Sequence, residues 1–338
     1  MGRIGKRTIK LVNQPSINGY YSVVGAKEGE GPLKEYFDYI VEDSKFGEET
    51  WEKAESKFVK YSSENAVKNA DLSMNDIDYI FSGDLLNQCV SSSYAVRDME
   101  IPLFGLYGAC STMAESLSLA SIVIDGGYAK NALAVTSSHF CSAERQFRFP
   151  LEYGSSRAAT TQWTVTGSGA VVVSKEGNGP YIKHITTGKI VDKGIKDANN
   201  MGAAMAPAAC DTIISYFNDT KTDFNNYDLV VTGDLGTLGL EILKDLLLKN
   251  GYKDYNKLND CGVLIFDTKK QDVHCGGSGC GCSASVLTSY ILSRMKKEIY
   301  NNVLFIATGA LMSTTMSEQG ESIPGIAHLV HISNNKEE

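Results

Sequence analysis

The chain has 338 residues, 43% of them hydrophobic and 21% charged, which is typical of folded globular proteins and sufficient for two domains or two similar halves. Its formal net charge of −8 and pI near 5.3 exclude the basic face that nucleic-acid binding requires. No apolar run could span a bilayer or act as a secretory signal core behind the basic segment Arg3–Lys10. We therefore expect a location on the cytoplasmic side of a membrane, with the eight cysteines as free thiols.

Short runs rich in Val, Ile and Leu alternate with longer helical stretches, which predicts an α/β fold with a mostly parallel sheet covered by helices. One helix is expected to begin near Gly239 and to end at Asn250-Gly251. The glycine- and proline-containing segment Lys175–Pro180 is the best candidate for a linker, so we place the two halves in residues 1–176 and 177–338. The predicted strands are Asp78–Ser82, Leu103–Tyr107, Ala132–Thr136, Ala170–Ser174, Leu229–Thr232, Gly262–Asp267, Val303–Thr308 and His328–Ile332.

An internal repeat relates the two halves. The segment Ile77–Leu85 is echoed by Tyr227–Leu235 at an offset of 150 residues, and both end in Gly-Asp-Leu. Cys110 and Cys280 are each followed 21 residues later by an asparagine at the start of a predicted strand. The repeat predicts that each half carries the same series of strand, helix, strand, glycine-rich turn, helix and strand.

The first half contains a candidate nucleophile. The strand Leu103–Tyr107 runs through Gly108 and Ala109 into Cys110, and the following segment Ser111–Ile124 is apolar on nearly every side. Such a helix must be buried, and a cysteine at its start meets unsatisfied N–H groups that favour a thiolate or a bound anion. A free cysteine is also commonly a small buried hydrophobe, so the motif alone does not decide between the two.

This turn, the duplicated halves and the segment Ala307–Ser313 resemble the thiolase and ketoacyl-synthase superfamily. The resemblance covers nearly the whole chain. It implies a thiolase-like five-layer αβαβα fold made of two similar halves.

A narrower resemblance lies in Val24–Leu33, Tyr36–Asp38 and Leu85–Gln88, which are similar to the stage V sporulation protein AD family of spore-forming bacteria. It implies direct binding of dipicolinic acid, alone or with calcium, and a role in its transport into the developing spore and its release at germination. It also implies a peripheral position on the spore inner membrane, on the cytoplasmic or forespore side, beside other spore membrane channel proteins. A homodimer is a further expectation, and no cofactor is expected.

Catalytic members of the superfamily carry a histidine after the strand matching Leu229–Thr232, and a histidine or asparagine in the glycine-rich turn of the second half. Here the first position is Gly233-Asp234 and the second is Gly279–Cys282. An aspartate near the thiol disfavours a thiolate, so we expect Cys110 to line a pocket rather than to catalyse Claisen condensation. The alternative is an acyltransferase or ketoacyl-synthase-like enzyme that uses Cys110 on an acyl thioester.

A zinc site is one interpretation of His274, Cys275, Cys280 and Cys282. Their spacing matches none of the paired Cys-x2-Cys patterns of structural zinc sites, and the glycines suit a tight entry into a helix. We therefore expect no metal. His274 could also stand in for a missing catalytic group, although proximity in the chain does not show that it faces Cys110.

The ligand-binding candidates follow from the chemistry of dipicolinate, a planar dianion that needs cationic or N–H donors around a flat slot. Arg145, Arg148 and Arg157 lie in a stretch of aromatic and small residues, and a guanidinium matches a carboxylate with two parallel hydrogen bonds. Ser137, Ser138 and His139 end a predicted strand, where open α/β sheets bind ligands. With Cys110 these six residues form the predicted site, although each arginine could equally belong to a solvated loop or a subunit contact.

Overall fold

The computed structural model describes residues 2–147 and 157–337, and within these ranges thirteen strands join in one large sheet while two more form a short parallel pair. The strands are β1 Arg3–Ile4, β2 Thr8–Lys10, β3 Ser16–Gly25, β4 Tyr39–Val41, β5 Tyr79–Gly83, β6 Leu103–Gly105, β7 Asn131–Ser138, β8 Trp163–Thr164, β9 Gly167–Ser174, β10 Tyr181–Thr186, β11 Leu229–Thr232, β12 Leu258–Asp260, β13 Gly277–Ser278, β14 Asn302–Ala310 and β15 Gly325–Ser333. The helices are α1 Ala26–Gly29, α2 Trp51–Asn69, α3 Val90–Val96, α4 Thr112–Asp125, α5 Phe140–Phe147, α6 Met201–Thr220, α7 Gly236–Lys249, α8 Cys261–Ile265, α9 Cys280–Val286, α10 Leu292–Lys296 and α11 Thr314–Glu318.

The order of strands in the large sheet shows the duplication. It runs β12-β11-β14-β15-β10 and then β3-β9-β7-β5-β6, so each strand of one half has a counterpart in mirrored order in the other. The two halves meet where Tyr181 of β10 pairs with Ser16 of β3. The three outer strands at each end are parallel and the middle of the sheet is antiparallel. The sheet is therefore mixed, and the prediction of a mostly parallel sheet was wrong for its centre.

Each five-stranded half of the sheet forms one layer. Helices cover the outer face of each half and also lie between the two halves, which gives five layers. Helices α2 and α3 pack on the outer face of the first half, and α6 packs with α7 on the outer face of the second. Helix α4 contacts strands of both halves and lies between them, with α9 beside it. This arrangement confirms the predicted thiolase-like fold and buries α4 on nearly all sides, as its sequence requires.

The same hydrogen bonds recur in both halves. The Asp78 carboxylate accepts the N–H groups of Lys130 and Asn131 at 2.6 and 3.2 Å, which ties the start of β5 to the start of β7. In the second half the Asp228 carboxylate accepts the N–H groups of residues 301 and 302 at 2.7 and 2.9 Å, next to β11 and β14. The predicted internal repeat is thus confirmed down to individual side chains.

One predicted strand is a helix. The run Gly262–Asp267 was expected to be a strand, but residues Cys261–Ile265 form α8 and the strand beside β11 is Leu258–Asp260. The cause is Asp260, whose carboxylate accepts the Val263 N–H at 3.2 Å and caps the first turn of the helix. A short apolar run is compatible with a strand or a helix, and here the Asp260 cap favours the helix.

No helix in the described part of the chain combines the length and the apolar character needed to cross a bilayer. All eight cysteines are free thiols.

A buried carboxyl group lies in the short helix α1. Glu28 is buried, and its Oε1 accepts the backbone N–H of Thr166 at 3.0 Å. Burial raises the pKa of Glu28 to about 7 from an ordinary 4.5, since the charged form loses its hydration.

We predict a pH dependence of stability from this group. Because the pKa of Glu28 is raised in the folded state, its stabilising contribution is complete below about pH 4.5 and is lost as the pH rises through about 7. Glu28→Gln should therefore reduce the fall in the free energy of unfolding between about pH 5 and about pH 8, measured by urea denaturation. Glu30→Gln, at an exposed position two residues away, is the control and should leave that fall unchanged. Identical pH profiles for Glu28→Gln and the parent would contradict the prediction.

Candidate functional site

Cys110 lies in a tight turn between the edge strand β6 and the central helix α4. Residues Ala109–Ser111 form one turn of 3-10 helix that leads into α4, and Ala109 has a positive φ of 50°. The hydroxyl of Ser111 donates to the Gly108 carbonyl at 2.7 Å, and the Gly108 N–H donates to the Thr112 hydroxyl at 3.1 Å. These bonds hold the buried Cys110 at the start of the helix, as the sequence predicts.

Strand β14 of the second half passes directly against this turn. A Cβ atom added to Gly309 would overlap the carbonyl oxygen of Gly108, so only glycine permits this approach. The site is consequently built at the junction of the two halves.

A small cavity opens beside Cys110. Its volume is about 40 Å³, which is close to the space of a single water molecule and well below the several hundred Å³ of ordinary ligand pockets. Among the described residues, no lysine, arginine or histidine lines it. The lining residues are Leu85, Tyr107, Ala109, Cys110, Ala143, Glu144, Phe147, Thr164, Met201, Ser278, Ala310 and Met312.

The carboxyl group of Asp234 faces the thiol of Cys110. Asp234 is fully buried and accepts hydrogen bonds from the Gly279 N–H at 2.8 Å, the Thr308 hydroxyl at 2.8 Å and the Ser278 hydroxyl at 3.1 Å. Gly279 is the residue immediately before α9, and its N–H group is already bonded to Asp234. The carboxyl group is therefore fixed in place by all three partners.

The turn that carries Asp234 is held in place by a second buried aspartate. Asp260 accepts the N–H groups of Leu235 and Gly236 at 2.8 and 3.0 Å and the Thr232 hydroxyl at 2.7 Å. Burial raises the pKa of Asp260 to about 6. The end of β11 and the start of α7 are thus fixed around Asp234.

The thiol of Cys110 is protonated at neutral pH. Burial raises its pKa well above the ordinary value of 9.0, and the Asp234 carboxyl group raises it further by repelling a thiolate. The Gly279 N–H acts in the opposite direction but is outweighed. The position at the start of α4, which would favour a thiolate by itself, does not determine the protonation state.

An equivalent arrangement exists on the other side of the repeat. Asp84 follows Gly83 at the end of β5 as Asp234 follows Gly233 at the end of β11. Burial raises the pKa of Cys280 well above 9.0, and the Asp84 carboxyl group adds to this effect. Each half therefore contains a buried aspartate that raises the pKa of the cysteine in the other half.

The predicted residues Ser137, Ser138 and His139 are buried at the end of β7 and do not line the cavity. The Ser137 hydroxyl donates to Glu55 at 3.0 Å, and the Ser138 hydroxyl donates to the Val165 carbonyl at 2.6 Å. The His139 Nε2 lies 2.7 Å from the carbonyl oxygen of Ser44, and burial lowers the pKa of this imidazole.

The two predicted arginines that the structure describes, Arg145 and Arg157, do not line the Cys110 cavity. Arg145 is exposed and pairs with Glu52, while Arg148 lies outside the described residues. The Arg157 guanidinium pairs with Asp272 at 2.6 Å and lies over the ring of Trp163 at 4.8 Å from its centre. Of the six predicted residues that the structure describes, Cys110 alone lines the cavity.

The histidine and cysteine cluster considered for zinc does not converge. The His274 Nε2 lies 3.8 Å from Asp272, and the Cys280 thiol donates to the Ser137 carbonyl at 2.9 Å. Within residues 2–147 and 157–337, no three His, Cys, Asp or Glu side chains come together in a way that could hold a metal ion.

Sequence reasoning missed Tyr107, Glu144 and Ser278 in the cavity wall and Glu55 beneath it. Ser278 could have been found, because it stands in the glycine-rich turn already singled out by the repeat. Glu55 and Glu144 carry no local signal, since a carboxylate on a helix is usually solvated.

The comparisons with known proteins agree on one family. The model of the stage V sporulation protein AD family matches residues 5–333. Stage V sporulation protein AD of Bacillus subtilis (strain 168) is 45% identical over 324 residues, which cover 96% of each chain.

Several solved structures share the fold at low sequence identity. The 3-oxoacyl-[acyl-carrier-protein] synthase III of Aquifex aeolicus VF5 is 12% identical, with a TM-score of 0.57 over 94% of this chain and 99% of that one. A variant of OleA from Xanthomonas campestris is 12% identical, with a TM-score of 0.59 over 98% of both chains. At such identities the likeness shows the fold alone.

We predict that Asp234 keeps Cys110 unreactive. Asp234→Asn removes the neighbouring negative charge and should lower the pKa of Cys110, so that alkylation by iodoacetamide becomes faster, by about tenfold for each unit of pKa while the thiol remains the main form. Peptide mass spectrometry follows each cysteine separately, and the half-exposed Cys141 serves as the internal reference.

Asp84→Asn is the matched control, because it removes the equivalent carboxylate from beside Cys280. It should leave the alkylation rate of Cys110 unchanged. Equal rates at Cys110 in the parent and in Asp234→Asn would show that the carboxylate does not control the thiol.

Proposed function

The chain belongs to the stage V sporulation protein AD family, and we propose that this sporulation protein with a thiolase-like fold binds dipicolinic acid and does not catalyse condensation. It supports the transport of dipicolinic acid into the developing spore and its release at germination. Other spore membrane channel proteins hold it on the spore inner membrane, on the cytoplasmic or forespore side. The observation that carries the proposal is the Asp234 carboxyl group beside the Cys110 thiol.

Condensing chemistry needs a thiolate and donors for the oxyanion of the thioester. Cys110 is a buried thiol whose pKa is raised by burial and by Asp234, and the Gly279 N–H is bonded to that same carboxylate. A tetrahedral intermediate at this position would place its negative charge next to Asp234. The site thus opposes the charge that acyl transfer develops.

Binding at the Cys110 cavity favours the calcium complex of dipicolinate over the free dianion. The described lining contains no lysine, arginine or histidine, so a bare dianion would meet no positive charge there. In the complex Ca²⁺ neutralises the two carboxylates and takes further oxygen ligands, which include water and hydroxyl or carbonyl groups. Tyr107 and Thr164 offer hydroxyl groups to the remaining polar atoms of the ligand.

Ligand entry requires the cavity to widen from about 40 Å³. Met201 and Met312 belong to its wall, and methionine side chains have three rotatable bonds that adapt to a ligand. We therefore expect the cavity to open by side-chain movement as the ligand binds.

Calorimetric titration with dipicolinate, with and without equimolar calcium, tests this proposal. We expect Cys110→Ser to change the affinity, because the thiol forms part of the cavity surface, and Cys141→Ser to leave it unchanged. Thr164→Val should weaken binding of the calcium complex by about fivefold, in line with the loss of one hydrogen bond from a lining hydroxyl group. Binding that is insensitive to Cys110→Ser and Thr164→Val would place the ligand elsewhere.

Acyl transfer through Cys110 is the competing function. Incubation with acyl-coenzyme A thioesters followed by intact-protein mass spectrometry distinguishes the two. Stable acylation that disappears in Cys110→Ala, together with no dipicolinate binding, would overturn the proposal. Dipicolinate binding without acylation would leave the enzyme hypothesis unsupported.

We also propose that two copies of the chain pair through β6. This strand is the outermost in its half of the sheet, so one row of its N–H and C=O groups has no strand partner among residues 2–147 and 157–337. Phe104 on β6 is 49% exposed, and Tyr107 beyond it is 44% exposed. Antiparallel pairing with a second β6 would cover these rings and join two sheets across the interface.

Light scattering during gel filtration tests the dimer. We expect the parent to elute as a dimer and Phe104→Lys to elute as a monomer, because the interface would bury two unpaired charges. Tyr128→Lys, at an exposed aromatic residue away from β6, is the control and should remain dimeric. A monomeric parent would refute this mode of pairing.

A further inference from the structure

A second cleft lies on the opposite half of the fold from Cys110. It is bordered by β2, β10, β15 and the residues after α6, has a volume of about 530 Å³ and shares no lining residue with the Cys110 cavity. We call it the lysine cleft. Its size falls in the range of ordinary small-molecule sites.

Two lysines meet one carboxylate in the lysine cleft. The Glu337 Oε1 pairs with the Lys183 Nζ at 3.0 Å, and its Oε2 pairs with the Lys10 Nζ at 2.7 Å. The Lys183 side chain is only 9% exposed, whereas the Glu337 side chain is 40% exposed. A nearly buried ammonium group thus depends on a carboxylate that is easily reached by solvent.

Glu337 is held by a short segment that follows β15. The Gln14 side chain donates to the Glu337 carbonyl at 3.1 Å and accepts the Glu337 N–H at 2.8 Å. Asp219, the other acid of the cleft, accepts N–H groups from residues 6, 7 and 8 at 3.0 to 3.1 Å. Asp219 therefore does not compete with Glu337 for the two lysines.

Two imidazoles complete the cleft wall. The Nδ1 atoms of His184 and His331 lie 3.2 Å apart, so one must donate to the other. Burial lowers the pKa of His184 to about 4 and that of His331 to about 3, which keeps both neutral. His331 is more than nine-tenths buried, and its Nε2 finds no hydrogen-bond partner among the described residues. A buried polar atom of this kind calls for a partner that is absent from the protein.

We propose that the lysine cleft is a binding site for a small carboxylate anion, and that the Glu337 side chain occupies the carboxylate position until the ligand displaces it. The two ammonium groups bind the two oxygens of one carboxylate, as they bind Oε1 and Oε2 of Glu337. The rest of the ligand fills the open volume beside His331 and Tyr227. This inference does not rest on the proposed function of the Cys110 cavity.

Glutarate, whose carboxylate resembles that of a glutamate side chain, is the probe. We expect Glu337→Gln to bind glutarate at least about tenfold more tightly than the parent, because the competing charge is gone. Lys183→Met in the Glu337→Gln background should abolish the binding. Lys10→Met, at a half-exposed position that is safe for folding, should weaken it.

Imidazole NMR locates the binding, because the chain has only five histidines. Glutarate should shift the signals of His184 and His331 and leave His139 unchanged, while the neutral glutaramide should shift none. If Glu337→Gln gains no affinity, or if the Lys10→Met and Lys183→Met variants bind as tightly as Glu337→Gln alone, the lysines and Glu337 form a structural ion pair and the proposal fails.

Discussion

The site depends on a pairing across the duplication, in which each buried aspartate raises the pKa of the cysteine in the opposite half. Asp234 raises the pKa of Cys110, and Asp84 acts in the same way on Cys280. Both aspartates follow a glycine at the end of an equivalent strand, so the pairing comes directly from the duplication. A carboxyl group in a dry interior cannot tolerate a thiolate as its neighbour, and both cysteines are therefore thiols.

The raised pKa of Cys110 distinguishes this chain from an acyl-transferring enzyme, although it shares the fold of a 3-oxoacyl-[acyl-carrier-protein] synthase. The tight turn at Gly108, the buried helix α4 and the close approach of Gly309 build the seat of a nucleophile. The groups around Cys110 oppose the negative charges that develop in acyl transfer, because the Gly279 N–H is bonded to Asp234 and the Asp234 carboxyl group repels an anion. A site of this kind fits the binding of a neutral or charge-compensated ligand better than covalent catalysis.

The fold was largely predictable because the repeat could be seen in the sequence. The similarity of Ile77–Leu85 to Tyr227–Leu235 predicted the two similar halves. It also showed that Asp84 and Asp234 occupy equivalent positions. The error at Gly262–Asp267 arose because the capping carboxylate of Asp260 acts on backbone geometry, which apolar patterning does not encode. The antiparallel centre of the sheet was missed because pairing direction depends on contacts that are distant in the chain.

The candidate site was less predictable than the fold. Cys110 and Asp234 were identified, since they stand in motifs at the ends of strands, but Ser137 and Ser138 face the interior and Arg157 binds Asp272. Strand ends show which residues lie near a site and do not show which way each side chain points. The lysine cleft gave no sequence signal, because Lys10, Lys183 and Glu337 lie far apart in the chain.

The ionisation of Cys110 tests the central claim most directly. Carbon-13 NMR of cysteine Cβ atoms, with Cys110→Ser for assignment, follows each thiol from about pH 7 to about pH 10. The account predicts that the Cys110 signal keeps its thiol position up to pH 9 and beyond, since burial and Asp234 raise its pKa above 9.0. A midpoint below about pH 8, as expected for an activated nucleophile, would contradict it.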